Sequence, residues 1–303
     1  MKLNPRVIDE YKYIHSCKFN EYCKLEYNRL KDKIIIKPCC LVNPINDIEP
    51  LVWDADFFVN NIDYCINEYS KFDLRNLSKY YKGTCVYKTY NATGFNTLCD
   101  NYINNKKIYR LENSTLRNCN LFCIMCRNDS GRNKKEDYIY LKILQETYGK
   151  YHIATTCVGE PFTLKEELFE LLKTQNSGQI DILTNGTLLT KEDINLLSKL
   201  NVNNNIYITM SIDSDIPEVY EKIRQGAKFE VAYANLLELH KAKLLTNVHL
   251  VIQESNLDTF LDTEKHFAEL GIVTKFIIKS GDKKLVEGLD EETKKHIFNT
   301  ELE

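Results

Sequence analysis

The sequence lacks several features that would assign the protein to a broad class at once. Its 303 residues contain no apolar run approaching the roughly 20 residues that span a bilayer, so no membrane partner is expected. Residues 1–10 lack the apolar centre of a signal peptide. The net charge of −3 gives no reason to expect nucleic acid as a partner. We therefore expect a cytoplasmic protein.

Cysteine, in contrast, is abundant, with 11 residues in the chain. The number is odd and Cys39 is adjacent to Cys40, which suits a framework of disulfides poorly. Since a reducing compartment keeps thiols free, we expect these residues to be thiols or metal ligands.

Three cysteines lie within one short segment. Cys119, Cys123 and Cys126 have C-x3-C-x2-C spacing, with no fourth cysteine beside them. A structural zinc ion normally has four protein ligands. A 4Fe–4S cluster held by three cysteines leaves one iron open for a substrate or cofactor. Spacing alone leaves both kinds of metal site open.

From about residue 107 onward, short apolar segments alternate with amphipathic ones. The apolar segments are rich in Ile, Val, Tyr and Thr, as buried strands are. Predicted strands are 107–112, 151–157, 179–184, 205–213, 247–253 and 274–279. Predicted helices are 164–173, 191–200, 229–243, 257–270 and 285–298. Thr190 is a predicted N-cap and Gly271 a predicted C-cap.

Repeated strand–helix units of this length predict an α/β fold with parallel strands and right-handed crossovers. Periodicity alone permits either a barrel or a doubly wound open sheet. In both folds the functional residues lie at the carboxyl ends of the strands. The candidates at those ends are Cys119–Cys126, Gly159, Glu160, Asn185, Ser211 and Asp213.

The motifs in this half resemble those of the radical S-adenosylmethionine (SAM) family, over roughly residues 107–280. The cysteine loop looks like the family signature, and shorter motifs follow in the family's order. They are Val158-Gly159-Glu160-Pro161, Leu183-Thr184-Asn185-Gly186-Thr187, Ser211-Ile212-Asp213-Ser214, and Arg224 with Phe229-Glu230. Val158 departs from the family, which usually has glycine there. The resemblance implies a partial (β/α)6 TIM-like barrel over residues 106–303.

The resemblance also implies the cofactors and the reaction. Cys119, Cys123 and Cys126 would hold a 4Fe–4S cluster whose open iron binds SAM. One electron, from a donor such as flavodoxin or ferredoxin, would split SAM into methionine and a 5′-deoxyadenosyl radical. That radical would remove hydrogen from a substrate C–H bond. The alternatives are a zinc-binding protein and a non-catalytic iron–sulfur scaffold or redox protein.

The glycine turn and the next strand end supply one part of the implied SAM site. Glu160, beside Gly159, would accept a hydrogen bond from the SAM ammonium group. Its alternative is a charge in a surface turn. Asn185 would contact SAM or only make a turn with its neighbouring glycine. Arg224 would reach a carboxylate or, as the preferred interpretation, lie on a solvated helix face.

The later strands supply the other part. Ser211 and Asp213 share one face of a strand and would bind the ribose or the methionyl end of SAM. Asp213 would otherwise cap the following helix. Met125 and Ile252 would pack on the adenine or belong to the apolar core. No general acid or base stands out, and Cys157 is interpreted as a small buried hydrophobe rather than a hydrogen donor.

Residues 1–105 are predicted to form a smaller cysteine-containing module. Four cysteines there resemble the SPASM or twitch modules of radical SAM enzymes, which hold auxiliary 4Fe–4S clusters and usually follow the barrel. These cysteines are Cys17, Cys39, Cys40 and Cys85, and Cys23 or Cys99 would complete the ligand set. Lys88 stands where the family has a further cysteine, and the alternative is a substrate-binding module without a cluster. By analogy with such enzymes, a peptide or protein substrate is implied; carbohydrates and nucleosides remain open.

Overall fold

The computed structural model describes most of the chain. The described residues are 22–28, 30–37, 52–71, 110–126, 133–155, 159–174, 178–203, 205–278, 285 and 288–302. The chain divides into two compact units. The first comprises residues 1–115 and 138–154, and the second comprises residues 116–137 and 155–303.

Strands and helices alternate through most of the described sequence. The strands are β1 (Tyr22–Asn28), β2 (Lys33–Lys37), β3 (Val52–Asp54), β4 (Arg110–Ser114), β5 (Phe122–Cys123), β6 (His152–Thr155), β7 (Ile180–Thr184), β8 (Ile206–Ser211), β9 (Arg224–Gln225), β10 (Leu245–Ile252) and β11 (Thr274–Ile278). The helices are α1 (Ala55–Asn60), α2 (Ile62–Lys71), α3 (Lys134–Thr147), α4 (Lys165–Thr174), α5 (Lys191–Leu200), α6 (Pro217–Ile223), α7 (Phe229–Lys241), α8 (Phe260–Glu269) and α9 (Glu291–Leu302). A 3₁₀ turn, Pro161–Leu164, precedes α4.

The first unit combines antiparallel and parallel pairing. β2 pairs antiparallel with both β1 and β3, whereas β4 pairs parallel with both β1 and β6. Every second side chain of β1 is buried, namely Cys23, Leu25 and Tyr27. Ile34 and Ile36 are fully buried in β2. Because side chains alternate along a strand, this pattern turns one face of each strand into the core.

Two cysteines belong to the core of this unit. Cys23 on β1 and Cys65 on α2 are fully buried free thiols, called the core thiols below. Burial raises the pKa of each to about 12, and the charge of Glu112 adds to the effect at Cys23. They therefore stay neutral and act as small apolar groups. The predicted cluster ligands Cys17, Cys39, Cys40 and Cys85, and the additional candidate Cys99, lie outside the described residues. The other additional candidate, Cys23, is one of these core thiols, and its burial argues against a role as ligand.

The second unit contains a run of parallel strands. β8 pairs with β7 and with β10, and β10 also pairs with β11, all in parallel. These neighbours follow chain order without a reversal, whereas a doubly wound sheet reverses at a switch point. The predicted α/β class with mostly parallel strands is confirmed.

Helix ends in this unit follow local sequence signals. Thr190 and Asp193 form a capping box at the start of α5, as the predicted N-cap requires. Gly271 has φ of +74°, and the N–H of Ile272 donates to the carbonyl of Phe267 at 2.9 Å. That left-handed residue ends α8 as the predicted C-cap does.

An apolar cluster joins β10, β11, α8 and α9. Its buried members are Leu250, Ile252, Phe260, Phe276 and Ile297. The rings of Phe260 and Phe276 meet edge to face, 5.3 Å apart at 84°. Each such side chain contributes roughly 1.5–3 kcal/mol by leaving water.

The predicted elements of the second half agree with the structure to within a few residues at most ends. Strands β4 and β6 of the first unit were predicted as well, but its other strands and helices were not. Helices α3 and α6 and the short strands β5 and β9 were also not predicted. Cys157 and Val158 lie outside the described residues. No helix within the described ranges is long and apolar enough to cross a membrane.

Candidate functional site

Three half-buried thiols occupy the loop that follows β4. Cys119, Cys123 and Cys126, called the loop thiols below, are all free. The N–H of Leu121 donates to Sγ of Cys119 at 3.4 Å, and the N–H of Cys126 donates to the carbonyl of Cys123 at 3.0 Å. Burial raises the pKa of every loop thiol, and the positive charge of Arg224 acts in the opposite direction on all three.

Backbone pairing fixes the middle of this loop. β5 pairs antiparallel with β9, so that Cys123 lies opposite Arg224. The N–H of Ile124 also donates to the carbonyl of Ile223 at 3.0 Å. The position of the Cys123 thiol is therefore tied to the end of α6.

Arg224 forms a buried ion pair with Asp213. Their side chains are 7% and 0% exposed, and Nε lies 2.8 Å from Oδ2. The contact is a close approach of charges, because neither atom makes an aligned hydrogen bond. Burial lowers the pKa of Arg224, but the Asp213 carboxylate and the Cys123 sulfur outweigh it and hold the pKa above its usual value. Arg224 is consequently a permanent cation beside the loop thiols.

Asp213 makes two further contacts, with β10 and with the loop that follows it. Its Oδ1 accepts the N–H of Val251 at 2.9 Å, and its carbonyl accepts the amide of Asn256 at 2.8 Å. Two expectations are thus wrong. Arg224 does not lie on a solvated face, because α6 ends where this carboxylate can receive its side chain. Asp213 does not cap α6, whose N-cap is Ile216 without a side-chain bond.

The Gly159-Glu160 turn packs against the start of the cysteine loop. The N–H of Gly159 donates to the carbonyl of Leu116 at 3.1 Å, and that of Glu160 donates to the carbonyl of Asn118 at 2.7 Å. A Cβ on residue 159 would stand 2.6 Å from the oxygen of Asn118. Glycine is therefore required here by close approach of two backbones.

The Glu160 carboxylate is 1% exposed and joins two strand ends. Oε1 accepts from the N–H of Phe162 at 3.1 Å and the hydroxyl of Thr184 at 2.8 Å; Oε2 accepts from the N–H of Asn185 at 2.7 Å. Burial raises its pKa to about 7, although these bonds and Arg224 lower it. The surface-turn alternative is wrong, while the predicted contact with the SAM ammonium stays a prediction.

Asn185 both makes a turn and approaches the loop. Its Oδ1 accepts from the N–H of Thr187 at 2.9 Å. Its Nδ2 donates to Oδ1 of Asn120 at 3.0 Å and lies 3.8 Å from Sγ of Cys119. Cys119 thus receives two N–H donors, one from Leu121 and one from Asn185.

The remaining predicted residues occupy different surroundings. Ser211 and Met125 are partly exposed. Ile252 is fully buried in the apolar cluster, on the same face of β10 as Leu250. This placement supports the core alternative for Ile252 and argues against a contact with adenine.

Polar residues of β10 were missed by the sequence analysis. His249 lies in register between Ser211 of β8 and Lys275 of β11. Its Nδ1, and both amide atoms of Gln253, are buried without a hydrogen-bond partner among the described residues. Burial lowers the pKa of His249 to about 4, and Lys275 and Arg224 add to the effect. The alternating polar residues Asn247, His249 and Gln253 could have predicted a polar face for this strand.

The donor chemistry of the loop fits an iron–sulfur cluster. Thiolates are soft ligands that suit iron, and N–H groups and a cation near the sulfurs stabilise their negative charge. Within the part of the chain that the structure describes, no group of three or more His, Cys, Asp or Glu side chains is arranged to hold a metal ion. Cluster ligands bind separate irons and need not converge on one point.

The comparisons with known proteins place the chain in a family. A model of the radical SAM superfamily matches residues 113–267, about half of the chain. No curated protein matches the chain.

Several solved structures are also similar. Native anSMEcpe with bound AdoMet is 21% identical over 56% of this chain and 52% of its own, with a TM-score of 0.44. SuiB of Streptococcus suis bound to S-adenosylmethionine is 15% identical over 92% of this chain and 69% of its own, with a TM-score of 0.47. HydG, a maturase of the [FeFe]-hydrogenase, is 16% identical over 56% of this chain and 41% of its own, with a TM-score of 0.36. The match spans about half the length of anSMEcpe.

Proposed function

This chain belongs to the radical SAM superfamily, and on that premise we propose that it is an enzyme whose loop thiols hold a 4Fe–4S cluster. The cluster, with SAM on its open iron, would supply a 5′-deoxyadenosyl radical that abstracts hydrogen from a substrate C–H bond. The observation that carries the proposal is the set of three half-buried thiols with one permanent cation, Arg224, beside them. Family membership supports it.

The chain's own residues would bind and orient SAM at the strand ends. Ser211 and Met125 are partly exposed and would contact the ribose or methionyl end and the adenine, respectively. Glu160 would accept the ammonium through Oε2, which accepts one bond within the chain and retains an acceptor position. Gly159 would keep this turn close to the loop.

Asn185 and Asp213 would contact other residues of the site rather than SAM itself. Asn185 would direct its amide toward the Cys119 sulfur, and its backbone N–H fixes the Glu160 carboxylate. Asp213 would face Arg224 rather than touch SAM, because its two oxygens already meet the guanidinium and the N–H of Val251.

The wider architecture is part of the same proposal. We propose a partial (β/α)6 barrel over residues 106–303, supported by the parallel strands that follow chain order in the second unit. Residues 1–105 would form a SPASM-like module and give the enzyme a peptide or protein substrate. Flavodoxin or ferredoxin would supply the electron in the cytoplasm. The free thiols among the described cysteines suit that compartment.

A second 4Fe–4S cluster in the module is proposed from the order of its cysteines. Its ligands would be Cys17, Cys39 or Cys40, and Cys85. A variant that lacks the loop thiols should then retain about four irons per chain after reconstitution. A variant without iron would leave one cluster only and make the module a substrate-binding one.

The principal test is anaerobic reconstitution with iron and sulfide, followed by reductant and SAM. The proposal predicts iron uptake and release of 5′-deoxyadenosine. Iron uptake without this product would favour the alternative, a non-catalytic iron–sulfur scaffold or redox protein. Stoichiometric zinc without iron uptake would favour a zinc-binding protein.

A further inference from the structure

The buried Arg224–Asp213 pair lies beside the cysteine loop, because Arg224 is the partner of Cys123 in the β5–β9 ladder. We propose that Arg224 raises the reduction potential of the cluster on the loop thiols, and that the negative charge of its ion-pair partner Asp213 partly offsets this effect. The inference rests on the proposed function, since it needs the cluster. It assigns to these two residues a redox role separate from binding SAM.

Backbone geometry fixes the distance between the cation and the loop. Cys123 and Arg224 are partners in the β5–β9 ladder, and Ile124 is bonded to Ile223. The guanidinium is paired in turn with a carboxylate that Val251 holds from β10. The ladder and the Ile124–Ile223 bond keep the backbone of Arg224 beside the loop.

Burial makes this charge effective. The Arg224 side chain is 7% exposed, so water and salt screen it far less than they screen a surface cation. Directly opposite residues of an antiparallel pair carry their side chains on the same face, so the Arg224 side chain and the Cys123 sulfur share one face of the β5–β9 ladder.

Reduction of the cluster adds one electron, which a low-potential one-electron donor protein supplies, and no bond in the chain forms or breaks. The product carries one more negative charge than the oxidised form. A fixed cation stabilises the more negative state more strongly, and potentials of such clusters depend on charge and hydrogen bonds at the sulfurs. Arg224 therefore favours the reduced form.

The test compares the two halves of the pair. R224Q removes the cation and is expected to shift the midpoint potential to more negative values. D213N removes the anion and is expected to shift it to more positive values. The potentials are measured by redox titration monitored by electron paramagnetic resonance, with iron counted in each sample. K173Q, which removes an exposed lysine paired with Glu170 on α4, is the control and should match the parent.

Midpoint potentials that shift in opposite directions in R224Q and D213N indicate a charge effect. If the pair were merely structural, both variants would bind less iron or be less stable. R224K keeps the charge and should hold the potential near that of the parent. Breaking a buried pair is costly, so the double variant D213N/R224Q, which buries no charge, is the second measurement. It should titrate below the parent, because Arg224 is the ladder partner of Cys123, whereas Asp213 meets the loop through its pairing with Arg224.

The possible outcomes distinguish a failure of this inference from a failure of the proposed function. A parent chain that takes up no iron overturns both. Full iron content with unchanged potentials in R224Q and the double variant overturns the inference alone. Shifts of the same sign in R224Q and D213N also overturn it.

Discussion

The core thiols of the first unit and the loop thiols of the second unit have the same chemistry in different surroundings. Cys23 and Cys65 are fully buried, and their pKa values are raised to about 12. The loop thiols are half-buried and lie beside a buried cation. The difference shows that exposure and neighbouring charge, rather than residue type, decide which cysteines suit a metal.

Replacing all three loop thiols by alanine should have the largest effect, because it removes every sulfur donor of the loop. Bound iron after reconstitution should fall by about four atoms per chain, and 5′-deoxyadenosine formation should stop. Cys23→Ala is the matched control: it should keep the parent's iron and lose about 1–2 kcal/mol of unfolding free energy. Equal iron in the triple variant and the parent would contradict the account.

Alkylation should separate the two sets of thiols without any substitution. In metal-free protein, the loop thiols should react with iodoacetamide at least ~100-fold faster than Cys23 and Cys65. The core thiols react only after local opening, which costs several kcal/mol. Mass spectrometry of the labelled peptides gives both rates in one sample. Equal rates for Cys23 and Cys119 would remove the contrast.

Glu160→Gln tests whether the Glu160 carboxylate binds SAM. The change keeps the side-chain shape but removes a charged acceptor, worth roughly 1.5–3 kcal/mol. SAM affinity should fall by about ten- to a hundredfold, with iron content unchanged, as equilibrium dialysis can measure. Glu170→Gln, an exposed carboxylate on α4, should bind SAM as the parent does. Parent-like affinity in Glu160→Gln would exclude Glu160 from the site.

Acid should affect the second unit through His249 while the core thiols stay neutral. The folded pKa of His249 is lowered from 6.5 to about 4. Its contribution to stability is therefore complete above pH 6.5 and lost as the pH falls toward 4. Allowing for partial exposure, His249→Gln should remove about 2 kcal/mol of this acid-induced loss.

Denaturant unfolding of metal-free protein, compared between a pH above 6.5 and a pH near 4, measures this effect. His240→Gln, on α7 and away from this strand, is the control. A parent-like loss of stability in His249→Gln would show that His249 is not held neutral by the fold.

Much of the second unit could be predicted from its sequence because the signals are local. Alternating apolar residues marked β7 and β8, and Thr190 with Asp193 marked the start of α5. The cysteine spacing marked the loop in the same way. Each of these features depends on residues a few positions apart.

The ion pair between Arg224 and Asp213 could not be predicted, because it depends on where α6 ends and on how β10 reaches Asp213. Two of the three donors to Glu160 come from the end of β7, more than 20 residues away in sequence, and no local pattern encodes them. The sequence left Ile252 open between the adenine and the apolar core, because a strand pattern does not tell which face of β10 meets the apolar cluster.

The most direct test of the central claim, that three loop thiols leave one iron open for SAM, is electron paramagnetic resonance of the reduced, reconstituted chain. The account predicts that saturating SAM changes the signal of the cluster, because SAM becomes a ligand of that iron. It also predicts that the triple alanine variant shows no SAM-sensitive signal. A parent signal that stays unchanged at saturating SAM would contradict the claim.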